Sequence, residues 1–216
     1  MDKKKKPWPT KDAMEQIYEM NLWGTNNTDF YSGEGSHHPE IVNPYVDEVR
    51  SFLSSFERPL TVCDLGCGDF NVGEKLVACA EKYIAVDIVE SLINRNKTLY
   101  KADNLEFQCL DIATDDLPKA DCVLLRQVLQ HLSNKEIQSI VEKLYDYKYV
   151  ILTEHLPEGE FIANKDIISG QGIRLKKKSG VDLLKAPFNF KVKSSTELLS
   201  ITLKKGKIVT TLFEVF

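Results

Sequence analysis

The cysteines of this chain lack the pairing patterns of metal sites. All five lie inside apolar strand-like or helix-like segments, with no Cys-x-x-Cys pair and no His/Cys ligand spacing. Isolated cysteines of this kind are usually small buried hydrophobic residues in a reducing compartment. The sequence therefore predicts no metal site.

Long apolar runs and an excess of positive charge are also missing. No segment approaches the roughly 20 apolar residues of a membrane span, and no apolar stretch follows the charged N-terminus as in a secretory signal. The net charge of −4 argues against a dedicated nucleic-acid-binding protein, which usually has a strongly basic face. These absences predict a cytoplasmic protein without a membrane partner or a nucleic-acid partner, and they leave the oligomeric state open.

Two short basic runs stand out against this composition. The run at residues 3–6 fits a solvated tail. The run at residues 174–178 fits either a solvated loop or a rim that attracts an anionic substrate.

Apolar segments alternate with amphipathic segments from residue 59 onward. Continuous apolar strands between helices are typical of a parallel sheet covered on both faces, and two strands around a Lys-Gly turn end the chain. The pattern predicts an α/β, Rossmann-like fold with a seven-stranded, mainly parallel sheet, helices on both faces and an antiparallel edge strand. Helices are predicted over residues 10–23, 39–56, 71–82, 90–101 and 134–147.

The length of 216 residues suits a single domain with a full core. Within it we predict four parts, of which the third is rich in Gly, Lys and Ser and is weakly periodic. Long insertions of this kind are commonly lids or binding loops. The parts are an N-terminal helical cap at 1–58, a cofactor-binding core at 59–156, a lid or substrate loop at 157–186 and C-terminal strands at 187–216.

The stretch "VCDLGCGDFNVGEKL", residues 62–76, predicts a tight turn between the first strand and the segment after it. Gly66 and Gly68 would let the backbone approach a ligand closely. Asp87, at the end of the second strand, is placed to accept from two ribose hydroxyls, and Asp111 after the third strand from an adenine amino group. A dinucleotide-binding motif has a third glycine at the position of Asn71, and a carboxylate at residue 69 would repel a pyrophosphate. Both points argue against a dinucleotide ligand. A cationic sulfonium fits this acidic surround better.

With these residues in view, the chain resembles the class I S-adenosylmethionine-dependent methyltransferases over about residues 59–155. "VCDLGCG", "YIAVDI", "LEFQCLDI" and "ADCVLLRQVLQHLS" look like four of their motifs. A narrower likeness is to small bacterial members with "SGEGS" (32–36), "CGDFN" (67–71) and "APFNF" (186–190), although Gln127 stands where they often carry an aspartate. The resemblance implies S-adenosylmethionine as cofactor and S-adenosylhomocysteine as product. The cofactor-binding residues expected from it are Asp64, Gly66, Cys67, Gly68, Asp87, Ile88, Asp111, Ile112 and Arg126, with Tyr31 and Trp23 folded over them.

Five residues are candidates for the chemistry on the acceptor side. His131, just after the fourth strand, fits either a general base or a core or helix-cap histidine. Arg126 fits either a holder of an anionic substrate or an intramolecular ion pair. Glu154 and His155 at the end of the fifth strand, together with Arg174 in the lid, are expected to contact the substrate.

The sequence thus favours a methyltransferase that acts on a small molecule or a saccharide-type acceptor, most simply by O-methylation. Two alternatives remain open at this point. One is an RNA or protein methyltransferase, and the other is a non-catalytic S-adenosylmethionine-binding protein.

Overall fold

The computed structural model describes residues 8–25 and 29–216. The basic run at residues 3–6 lies outside these ranges. None of the helices in the described ranges has the length and apolar character needed to cross a membrane. In the same residues, no group of three or more His, Cys, Asp and Glu side chains is arranged to hold a metal ion.

Seven strands of the described chain form one mixed sheet in the order β3-β2-β1-β4-β5-β7-β6. Strands β1 to β5 are parallel, while β7 runs antiparallel between β5 and β6. The predicted Rossmann-like fold with an antiparallel edge is confirmed. The strands are β1 (Thr61–Leu65), β2 (Lys82–Asp87), β3 (Leu105–Cys109), β4 (Cys122–Arg126), β5 (Tyr149–Leu156), β6 (Ser194–Thr202) and β7 (Lys207–Glu214).

Two hydrophobic clusters cover the sheet, one on each face. Successive side chains of a strand point to opposite faces, so Val62 and Leu124 enter one cluster while Cys63 and Val123 enter the other. The continuous apolar runs of the central strands follow from this double burial. The helices around the sheet are α1 (Thr10–Glu19), α2 (Glu34–His37), α3 (Pro39–Leu53), α4 (Glu90–Leu99) and α5 (Asn134–Leu144).

The helix predicted over residues 71–82 is wrong. Two short 3-10 turns, Gly73–Lys75 and Val77–Cys79, occupy this stretch instead. The cause lies just before them, where Phe70 has a φ of 66° and is fully buried against three aromatic rings. Packing of this side chain fixes a left-handed backbone at residue 70, and the chain leaves it in tight turns rather than in a regular helix.

Candidate active site

A cavity of about 380 Å³ lies over the carboxyl ends of β1, β2 and β4. In an open parallel sheet this edge, next to the point where strand order reverses, is the expected ligand site. Eleven of the predicted site residues line the cavity together. They are Trp23, Asp64, Gly66, Cys67, Gly68, Asp87, Ile88, Asp111, Ile112, Arg126 and His131.

The glycine turn forms the floor of this cavity. Gly66 and Gly68 have φ values of 81° and 58°, in the left-handed region that glycine adopts at little cost. Space is short as well, because a Cβ at Gly66 would lie 2.4 Å from Val128 and one at Gly68 would lie 2.5 Å from Ser32 Oγ. The two glycines are therefore required both for backbone conformation and for the close approach of neighbouring segments.

The Asp87 carboxylate is held by backbone amides at the end of β2. Its Oδ2 accepts from the Gly68 N–H at 3.0 Å and its Oδ1 from the Val89 N–H at 3.1 Å. Each carboxylate oxygen has a further lone pair for a hydroxyl donor. Burial raises the pKa of Asp87, and the two amides oppose this effect. The arrangement fits the predicted binding of a ribose diol.

Asp111 lies across the cavity from the glycine turn, beyond the end of β3. Its Oδ1 accepts from the Ala113 N–H at 2.9 Å, which orients the carboxylate. Ile112 is buried beside it, and Ile88 lines the cavity near Asp87. The Asp111 carboxylate suits the polar edge of a planar base, and the apolar side chains of Ile88 and Ile112 suit its faces.

The inner end of the cavity contains Asp64 and Arg126. Asp64 accepts from the Tyr83 hydroxyl at 2.9 Å, and burial raises its pKa to about 6. The Arg126 guanidinium lies over the Tyr45 ring, with 4.8 Å from Cζ to the ring centroid, and donates to the Gly35 carbonyl. Its Nε is buried and finds no hydrogen-bond partner within the described chain. The Nε donor of Arg126 is thus left unsatisfied beside the cavity.

The cavity as a whole is acidic. Six carboxylates line it, whereas Arg126 is the one Lys or Arg side chain among its described lining residues. The acidic lining residues are Glu34, Asp64, Asp69, Asp87, Asp111 and Glu136.

Comparison with known proteins agrees with this geometry, since residues 63–147 match the family model of a methyltransferase domain. This part of the chain is therefore similar to a methyltransferase domain. The wheat (Triticum aestivum) phosphoethanolamine N-methyltransferase is 31% identical over 104 residues, which are 45% of this chain and 20% of that protein. This chain therefore spans about a fifth of the length of that curated relative.

Solved structures of methyltransferases share the fold of the whole chain. The N-methyltransferase NodS from Bradyrhizobium japonicum, in complex with S-adenosylhomocysteine, superposes with a TM-score of 0.66 at 13% identity, covering 94% of this chain and 99% of that one. Magnesium protoporphyrin IX methyltransferase from Synechocystis, with bound S-adenosylmethionine, gives 0.58 at 16% identity, covering 97% and 99%. The predicted enzyme class and cofactor are confirmed at the level of the domain. The narrower likeness to members with the "SGEGS" and "CGDFN" motifs stays a prediction.

His131 lies in the cavity wall of the methyltransferase domain, but its ring nitrogens are engaged. Gln130 Oε1 accepts from the His155 N–H at 3.1 Å, so its amide nitrogen is the group 3.3 Å from His131 Nε2 and donates to it. His131 Nδ1 then carries the proton and donates to the Gly170 carbonyl at 3.1 Å. Burial lowers the pKa of His131 to about 4. The ring packs against Trp23, and this arrangement is that of a wall residue rather than of a base poised near neutral pH.

Arg174 does not reach the cavity, and the prediction that it contacts the substrate is wrong. Its side chain is 1% exposed, and burial lowers its pKa. A guanidinium has five N–H donors, and all five are used within the protein. They donate to the carbonyl oxygens of Lys165, Leu129, Gln130 and Leu132 and to Asn134 Oδ1, at distances of 2.7 to 3.3 Å.

Glu154 and His155 do not line the cavity either, and as adjacent strand residues they point to opposite faces of the sheet. His155 Nε2 lies 2.6 Å from the Lys205 carbonyl in the turn between β6 and β7. Glu154 is buried on the other face, where neither carboxyl oxygen has a hydrogen-bond partner in the described chain. Burial raises the pKa of Glu154 to about 8, and the nearby Arg174 charge opposes the shift.

Tyr31 is likewise outside the cavity lining. Its hydroxyl donates to Glu34 at 2.8 Å and its ring packs on His37, with centroids 4.5 Å apart. His37 lies with its Nε2 2.6 Å from Asp69 Oδ2. In the sequence analysis we also missed that Asp69 and Ser32 are hydrogen-bond partners. Ser32 lies in the motif "SGEGS" and Asp69 in the motif "CGDFN", and these two motifs were the available signal.

Proposed function

We propose that the chain transfers the methyl group of S-adenosylmethionine to a small-molecule acceptor. The observation that carries this proposal is the Asp87 carboxylate, held by the Gly68 amide at 3.0 Å in the wall of the cavity. The residues present fit the cofactor, because Asp87 can accept from the ribose and Asp111 from the base. The volume of about 380 Å³ falls within the range of small-molecule sites and suits the cofactor.

Bound S-adenosylmethionine would supply an activated methyl group, so the protein has mainly to align the acceptor. Alignment alone is worth up to roughly 7–11 kcal/mol in well-oriented systems. Arg126 Nε and the wall formed by Trp23 and His131 are the groups we assign to this positioning. The division of the chain into cap, core, lid and C-terminal strands stays a prediction.

The charge of the cavity bears on the acceptor. Six carboxylates against one arginine disfavour an anionic acceptor, and Lys176 to Lys178 are exposed and do not line the cavity. We therefore propose a neutral or cationic acceptor in place of the anionic one that a basic rim would attract. O-methylation of a hydroxyl compound such as a saccharide remains our first candidate.

N-methylation of an amine is the second candidate. It is supported by the acidic lining and by the similarity to a phosphoethanolamine N-methyltransferase and, in fold, to the N-methyltransferase NodS. Production of S-adenosylhomocysteine with a panel of neutral saccharides, amines and phosphate esters separates the two. Turnover only with phosphate esters would refute the charge argument.

Binding can be tested without an acceptor. Calorimetry should detect S-adenosylmethionine and S-adenosylhomocysteine but not NAD, and both ligands should raise the melting temperature by linkage. NAD binding without a response to S-adenosylmethionine would overturn the proposal. Salt-dependent RNA binding would favour the RNA alternative, and a lack of turnover with every acceptor would favour the non-catalytic one.

The general-base prediction for His131 has its own test. His131→Ala should reduce turnover by less than the 10²–10⁴-fold typical of a lost base, because its Nε2 lone pair already accepts from Gln130. The affinity for S-adenosylhomocysteine should stay within a few-fold. A loss of 10²-fold or more with unchanged cofactor affinity would restore the general base.

A further inference from the structure

The segment Ser32–His37 lies beside the glycine turn and is bound to it by a reciprocal pair of hydrogen bonds. Ser32 N–H donates to Asp69 Oδ2 at 2.8 Å, and the Asp69 N–H donates to Ser32 Oγ at 2.8 Å. His37, at the other end of the segment, has its Nε2 2.6 Å from the same Asp69 Oδ2. One carboxylate that is 3% exposed therefore fastens both ends of the segment.

Asn71 adds a second attachment two residues later in the chain. Its Nδ2 donates to the Ser36 carbonyl at 2.7 Å, and its N–H donates to Asp69 Oδ1 at 3.2 Å. Between these two residues, Phe70 is buried at a φ of 66°. Its aromatic packing holds Asp69 and Asn71 in place, so the "CGDFN" and "SGEGS" motifs form one interlocking unit.

The same segment borders the cavity on its other side. Five of its residues, 32–36, line the cavity, and Arg126 donates to the Gly35 carbonyl and, at 3.3 Å, to Ser36 Oγ. The Tyr18 hydroxyl lies 2.9 Å from Ser32 Oγ. The segment thus lies between the glycine turn and Arg126.

The amino-acid composition of Ser32–His37 limits the strength of its attachment to the rest of the protein. Its sequence, Ser-Gly-Glu-Gly-Ser-His, contains no apolar side chain, so little hydrophobic burial fastens it. Its attachment rests on polar contacts, each worth about 0.5–1.5 kcal/mol net, or more when charged. Segments of such low local stability are the ones from which lids are drawn.

We propose that Ser32–His37 is the gate through which the cofactor leaves, and that Asp69 is the positioning residue that keeps it closed. This inference rests on the proposed binding of S-adenosylmethionine but not on the acceptor. Asp69 acts through Ser32 and His37, and its loss should shorten the residence time of the cofactor rather than remove a contact with it.

The test is stopped-flow displacement of S-adenosylhomocysteine from the full-length protein. We expect Asp69→Ala to raise the dissociation rate about tenfold or more, with the association rate within about threefold. Asp69→Asn, which keeps an acceptor for the Ser32 N–H, should recover part of the loss. Asp103→Ala, an exposed aspartate outside the cavity lining, is the matched control and should leave both rates unchanged.

A double-mutant cycle separates a gate from a general loss of structure. If Ser32 and Asp69 act as one unit, Ser32→Ala should also speed dissociation, and the double variant should exceed Asp69→Ala by less than the effect of Ser32→Ala alone. If Asp69→Ala does not fold, the dissociation rate of Ser32→Ala alone provides the test of the gate. An unchanged dissociation rate in a folded variant overturns the gate, whereas failure of the wild-type protein to bind S-adenosylhomocysteine overturns the proposed cofactor instead.

Discussion

The segment Ser32–His37 and the loop at residues 157–186 border the same cavity, yet they are attached in different ways. The first has no apolar side chain and is held by polar contacts around Asp69. The second buries Val181 and Leu183 in the main core and is fixed by the five donors of Arg174. Few polar contacts without apolar burial hold a segment less firmly than a buried guanidinium with five bonds and apolar side chains in the core. The comparison is why we propose the short segment, and not the long loop, as the gate.

The largest effect should come from Arg174→Ala. It removes one hydrogen-bond donor from each of four carbonyl oxygens and from the Asn134 amide oxygen, and it removes the charge near Glu154, so we expect a loss of about 3–5 kcal/mol in the free energy of unfolding. Urea denaturation measures it. Arg174→Lys keeps the charge but loses the fork geometry and should recover only part. A loss below about 1 kcal/mol in the free energy of unfolding would mean that the loop at residues 157–186 is held no more firmly than Ser32–His37.

Asp87→Ala should have the next largest effect, this time on the ligand. The carboxylate contacts both segments only through the glycine turn, so the variant removes cofactor contacts while both attachments stay intact. Two lost hydrogen bonds, at about 0.7–1.4 kcal/mol net each, predict a roughly 10–100-fold weaker affinity for S-adenosylhomocysteine in calorimetry. Calorimetry of Asp69→Ala provides the comparison. A larger loss for Asp69→Ala than for Asp87→Ala would show that the gate, and not the ribose site, dominates affinity.

Strand ends were predictable from sequence, and side-chain partners across long sequence separations were not. Gly66, Asp87 and Asp111 follow apolar runs at parallel strand ends, so the topology alone brings them together. Arg174 stands in a basic run that indicates a solvated surface, but its partners at 129–134 lie some 40 residues away and are brought to it only by tertiary packing. No local pattern encodes such a partner set.

Two further errors have local physical causes. The prediction that Glu154 and His155 face one crevice overlooked the alternation of side chains along a strand. The two-residue period of a strand places adjacent residues on opposite faces. The helix expected over residues 71–82 failed because burial of Phe70 overrides local propensity. The first error was avoidable from the sequence, whereas the second arose where packing decides.

Glu154→Gln should change the pH dependence of stability on the long-loop side of the cavity. Burial raises the pKa of Glu154 to about 8, so the folded protein keeps a proton that the unfolded chain has released above about pH 4.5. Its contribution to stability is therefore fully present below pH 4.5 and is lost as the pH rises towards 8. The variant lacks this loss, and its stability relative to wild type should rise by at least about 1 kcal/mol between pH 5 and pH 8.

Asp64 and Asp87 also have raised pKa values, but they are present in both proteins and cancel in the difference. Urea denaturation at several pH values gives the comparison. The dissociation rate of S-adenosylhomocysteine should be the same in Glu154→Gln and wild type, since Glu154 contacts neither the cavity nor Ser32–His37. A pH-independent difference in stability would show that the Glu154 carboxyl is ionised in the folded state.

Lys176→Ala should have the smallest effect, although Lys176 is only two residues from Arg174. Its side chain is exposed and borders no part of the cavity, so neither a buried bond nor a ligand contact is lost. We expect a change within about 0.5 kcal/mol in stability and no change in S-adenosylhomocysteine dissociation. With a turnover assay, the KM for a neutral acceptor should also be unchanged. A KM that rises in Lys176→Ala and loses this rise on addition of salt would show that the basic run attracts an anionic acceptor after all. The contrast with Arg174→Ala, two positions away, then tests whether burial rather than charge gives this run its role.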